Sequence, residues 1–121
     1  MNPSQVNHTL YIQTNTNFAS TRQSGKWCIF CREKDIDTLW AKIKEEVEVY
    51  NTFLGAMAAT KLSSKSHKGS YVICVFTRDW TNKEDVLEVK KKIKNLGINR
   101  IMRYKRDADT FDGIEKFIAY N

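Results

Sequence analysis

The chain has 121 residues, 41% of them hydrophobic and 28% charged, and carries a formal net charge of +6 with a pI near 9.3. That size and mixture fit one soluble globular domain with a single core, and the excess of cations favours acidic partners: nucleic acid, nucleotide or another phosphorylated ligand. Three cysteines, no leader pattern in Met1–Asn7 and no apolar run near the ~20 residues of a membrane span argue against a disulfide-framed secreted module or a membrane partner, and favour a reducing cytoplasm.

Residues 1–24 are rich in Asn, Gln, Ser and Thr. They are expected to form a polar, flexible tail whose apolar cluster, Leu10-Tyr11-Ile12, supplies an edge strand or docks on the domain. The folded domain is expected over residues 25–121. Lys26 to Cys31 is short, apolar and aromatic, as in a strand buried on both faces. Asp35 then fits an N-cap. Ile36, Leu39, Trp40, Ile43 and Val47 recur at spacings of three and four, which predicts a helix to about Val49.

Phe53 to Ser64 is ambiguous: its small residues favour a helix, while Gly55, Thr60 and Ser63 fit a strand ending near Ser64, the reading adopted. Lys65 to Gly69 reads as a hairpin loop. Tyr71 to Phe76 is the clearest strand and reads as central. Thr81 and Glu84 form a capping box before a helix whose stripe is Val86, Val89, Ile93 and Leu96, and Gly97 closes it. Ile101 to Lys105 is the next strand, and Asp112-Gly113 marks a turn. The order β-α-β-β-α-β predicts an α+β domain with two helices on one face of a mainly antiparallel sheet, a ferredoxin-like split βαβ being the simplest case.

The spelling of these segments carries a resemblance. Gly25-Lys26-Trp27 opens a strand and Leu39-Trp40 lies in the first helix. Leu54-Gly55 leads to Ala59-Thr60-Lys61 and Ser63. Val72 to Thr77 runs into Asp79-Trp80, followed by Glu84-Asp85-Val86, Leu96-Gly97-Ile98 and Tyr104-Lys105 with Asp107 and Thr110. From about Gly25 to Asp112 the chain resembles the DUF1917 family, which includes the basophilic-leukaemia-expressed protein Bles03. Some members carry a provisional phosphothreonine-lyase label. The resemblance implies an eIF4E-like fold, a curved antiparallel sheet backed by helices with a ligand site on its concave face. In that arrangement Lys61 and Lys105 lie on neighbouring strands.

The candidate site is an anion pocket of Lys61, Ser63, Lys65, His67, Lys68, Arg103 and Lys105. No acid occurs between Val49 and Arg78, and Arg, Lys and Ser together supply a fork, point charges and a hydroxyl for phosphate. Trp80, beside Arg78 and Asp79, is the best candidate to stack on a base. Trp40 belongs to the core stripe, and the run Lys90 to Lys94 to a solvated helix face. Cys28 and Cys31 have the spacing of half a zinc site, but no second pair exists and a strand sends them to opposite faces, so no metal is expected.

No Gly-rich phosphate loop, Ser-His-Asp set or close carboxylate pair appears, and no cofactor is expected. The leading expectation is non-catalytic binding, or sequestration, of a nucleotide, RNA or phosphorylated ligand. A phosphothreonine lyase is the enzymatic alternative, with Lys61 and His67 as base and acid and Arg103 and Lys105 as the clamp. A protein-interaction module using the tail and a sheet edge is the third.

Overall fold

A computed structural model describes residues 1–120. Five strands, β1 (Tyr11–Gln13), β2 (Gly25–Arg32), β3 (Ala56–Ala59), β4 (Ser70–Thr77) and β5 (Met102–Arg106), form one open sheet. Their order is β1-β3-β4-β2-β5, and every neighbouring pair is antiparallel. Helices α1 (Glu33–Glu48), α2 (Lys61–Lys65), α3 (Lys83–Asn95) and α4 (Asp107–Phe111) complete the α+β domain. β2 and β3 are joined through α1 yet separated in the sheet by β4. The four strands β3-β4-β2-β5 therefore keep the split βαβ order, and β1 extends it.

One face of the sheet holds the core. Trp27, Ile29 and Cys31 of β2, Tyr71, Ile73 and Val75 of β4, and Tyr104 of β5 pack against Ile36, Trp40 and Ile43 of α1 and Val86 and Ile93 of α3. Burying each large aliphatic or aromatic side chain contributes about 1.5–3 kcal/mol. Trp27 ties sheet to helix, donating from Nε1 to the Val86 carbonyl at 2.8 Å. Tyr104 meets its ring edge-on at 5.1 Å and shares a 2.6 Å hydrogen bond with Thr77. Gly25 lies against that hydroxyl: a Cβ there would stand 2.0 Å from the Tyr104 Oη.

Several boundaries differ from expectation for identifiable reasons. α1 starts at Glu33, straight off β2, with the extended backbone of Arg32 as its cap. Asp35 falls in the first turn and pairs with Arg100 at 2.8 Å. β3 stops at Ala59 and Lys61–Lys65 is helical, so the strand does not reach Ser64. Sheet pairing overrides the helix propensity of the alanines, and that propensity is a weak prior. Asn82, not Thr81, caps α3, accepting from the Asp85 amide at 3.2 Å, because Thr81 is held by the Asp79 carboxylate.

Within residues 1–24, β1 pairs with β3, Val6 is buried, and the Ser4 amide donates to Asp37 of α1 at 3.0 Å. Among the described residues no helix is long and apolar enough to cross a membrane.

Candidate functional site

The second face of the sheet carries the chemistry. Alternation along each strand puts Lys26, Cys28, Phe30 and Arg32 of β2 on it, with Ser70, Val72, Cys74 and Phe76 of β4, Arg103 and Lys105 of β5, and Tyr11 of β1. Its two ends are built differently. At the end where β2 begins, chain segments close over the sheet. Phe18 covers Phe76 with ring centroids 5.3 Å apart. Lys26, 6% exposed, forms a 2.9 Å ion pair with Asp107 at the start of α4 and reaches Thr110 at 3.2 Å. Ser24 hydrogen-bonds the other Asp107 oxygen. Burial opposes the charge on Lys26, and the Asp107 carboxylate more than reverses that, leaving its pKa raised. Beside it Lys105 pairs with Glu115 at 3.3 Å.

The other end is open. A cavity of about 320 Å³ lies between α2 and the sheet, walled by Ser63, Ser66, His67 and Lys68 and floored by Phe30 and Tyr11. A groove of about 530 Å³ adjoins it, sharing Phe30, His67, Lys68 and Ser70 and adding Arg32 and Arg100. Arg32 and Lys68 are exposed, and among the described residues neither has a carboxylate within ion-pair distance. Lys68 is held with φ at 54°, next to Gly69 at 81°, so the tight turn after α2 fixes where its side chain starts. His67 is anchored through Nδ1 to the Ser63 carbonyl at 2.9 Å.

The expected site residues therefore separate. Ser63, His67 and Lys68 meet in the cavity. Lys65 is exposed at the end of α2 and does not line it. Lys61 turns to Glu33 at 2.6 Å, and the Tyr71 hydroxyl donates to the same carboxylate oxygen at 3.1 Å. The hydrogen bond between Lys61 and Glu33 raises the pKa of the first and lowers that of the second. Arg103 and Lys105 sit across the sheet on the β5 edge, where Arg103 lies 5.7 Å from the Phe117 ring centroid. Trp80 belongs to the helix-covered side: it packs against the core, and the Arg106 guanidinium lies 4.8 Å from its ring centroid.

Arg32, Ser70, Phe30, Tyr11, Ser66 and Arg100 are among the cleft residues outside the expected set. For Arg32 a signal existed, because it continues the every-second-residue series Lys26, Cys28, Phe30.

A family model described as basophilic leukemia-expressed protein Bles03 matches residues 13–111, which run from the last residue of β1 through α4. The chain belongs to the Bles03 family.

Proposed function

We propose that the open cleft binds a phosphorylated ligand, a nucleotide first among them, without transforming it. The observation that carries this reading is that Arg32 and Lys68, without an ion-pair partner among the described residues, line a groove with Ser70 and Phe30 that adjoins the cavity floored by Phe30 and Tyr11. A guanidinium and an ammonium suit phosphate oxygens, Ser70 adds a short donor, and the rings offer a surface for a base. Sequestration of a nucleotide needs no more than this.

A thermal-shift screen of the intact chain tests it, with mono-, di- and cyclic nucleotides, cap analogues, short RNA and phosphopeptides, because a ligand of the native state raises the midpoint. A rise with one class, weakened about tenfold or more in Arg32→Ala, is expected, since a charge-assisted hydrogen bond contributes about 1.5–3 kcal/mol. A flat response across the panel would sink the proposal. A steep loss of affinity with salt would identify RNA, because each phosphate contact releases counterions.

The phosphothreonine-lyase reading has one supporting observation, His67 in the cavity wall. Its proposed partner Lys61 is engaged by Glu33 outside that cavity. Release of dehydrated peptide from a phosphothreonine substrate, lost in His67→Ala, would favour it.

A further inference from the structure

Cys28 and Cys74 stand directly opposite each other on β2 and β4, with their sulfurs 3.8 Å apart. The hydrogen bonds around them fix the kind of pair. The Phe30 amide donates to Ile101 on the β5 side at 3.2 Å, and the Phe76 amide donates to Gly55 on the β3 side at 3.0 Å. Amide direction alternates along an antiparallel strand, so Cys28 also bonds toward β5 and Cys74 toward β3. Neither bonds the other through its backbone. In such a pair the Cα atoms approach to about 4.5 Å, inside the range of about 4.4–6.8 Å that disulfides span. Side-chain rotation can bring the sulfurs to the bonding distance of about 2.05 Å without separating the strands.

The surroundings suit thiol chemistry. Lys26 flanks the pair, and Lys105 lies beside it on β5. The hydrogen bond between the two sulfurs, helped by these cations, lowers the pKa of Cys74 against the effect of burial; the same hydrogen bond and burial raise that of Cys28 against the cations. The same cations oppose a bound metal ion, and no cluster of three potential ligands exists among the described residues. Cys31 points to the opposite face, into the core.

We propose that Cys28 and Cys74 form a thiol–disulfide site whose oxidant is a small hydroperoxide. The Cys74 thiolate attacks the terminal peroxide oxygen and the O–O bond breaks. Cys74 becomes a sulfenic acid, and the leaving alkoxide or hydroxide takes a proton. The Cys28 sulfur then attacks the Cys74 sulfur, the S–O bond breaks, and the hydroxyl leaves as water with the Cys28 proton. The two cysteines are each 4% exposed, which restricts the oxidant to small molecules. This site is separate from the phosphate reading, which uses neither thiol.

The test treats the folded chain with hydrogen peroxide beside a small free thiol as a yardstick, then unfolds, alkylates and maps it by mass spectrometry. The expected result is a loss of two hydrogen masses, a Cys28–Cys74 linked peptide, and Cys31 still open to alkylation. In Cys28→Ser the reaction should stop at a Cys74 sulfenic acid that dimedone traps. Two intact thiols after the yardstick is fully oxidised, or a disulfide that includes Cys31, would overturn the proposal. The wild-type measurement does not depend on whether the variant folds.

Discussion

The two ends of the open face carry similar charge and use it in opposite ways. Where β2 begins, Lys26 and Lys105 are drawn under α4 and the C-terminal segment, and Asp107 and Glu115 neutralise them. Where β2 ends, Arg32 and Lys68 stand in a cleft with no carboxylate within ion-pair distance among the described residues. A cation already satisfied by its own chain is part of the architecture. A cation left unpaired beside hydroxyls and aromatic rings is free for a ligand. Net charge alone does not separate these cases; the partner does.

The sharpest way to break this contrast is Lys26→Met. It leaves Asp107 buried without its counter-charge, a change that costs about 3–5 kcal/mol. Chemical denaturation should record that loss, whereas Arg32→Ala should stay within about 0.5 kcal/mol of the wild type.

Alkaline stability comes next. Burial pushes the Cys31 thiol up from 9.0 to about 11. The unfolded chain releases that proton near the lower value and the folded chain holds it. The associated stability is therefore complete below the lower value and is lost as pH rises through this window. The total is about 2–3 kcal/mol. Cys31→Ala should flatten the slope of denaturation midpoint against pH there.

Gly25→Ala, at the closed end, should cost about 1–3 kcal/mol, because the added methyl displaces Tyr104 from Thr77. A midpoint unchanged from wild type would show that the ring has room to move. The smallest stability effect belongs to Lys68→Gly. It removes a cleft cation at a backbone conformation glycine adopts freely, so stability should hold within about 1 kcal/mol. Nucleotide-induced thermal shift should nevertheless fall, and an undiminished shift would move the ligand away from the α2 end.

The two long helices and the central strand were legible because their periodicities are local. Ile36, Leu39, Trp40, Ile43 and Val47 announce α1, and all five are buried. The five-residue helices α2 and α4 were not legible, since one turn and a half gives no repeat to detect. Ser63, His67 and Lys68 meet in one cavity because they are neighbours in sequence. Their partners required the strand order: Arg103 looks close to any other strand cation until β4 and β2 are placed between it and α2. Trp80 stood out for its charged sequence neighbours Arg78 and Asp79, whereas the charge that covers its ring, Arg106, comes from β5.

The lone bridge from the Ile118 amide to the Tyr104 carbonyl, 2.9 Å long, bears on how the molecule avoids its own copies. Residues 114–120 run along the outer margin of β5, and the opposite margin belongs to β1, three residues long. Unsatisfied strand margins template intermolecular pairing and aggregation. The tail thus acts as a guard rail on the longer margin, and a second chain seeking to extend the sheet there would first have to peel it away.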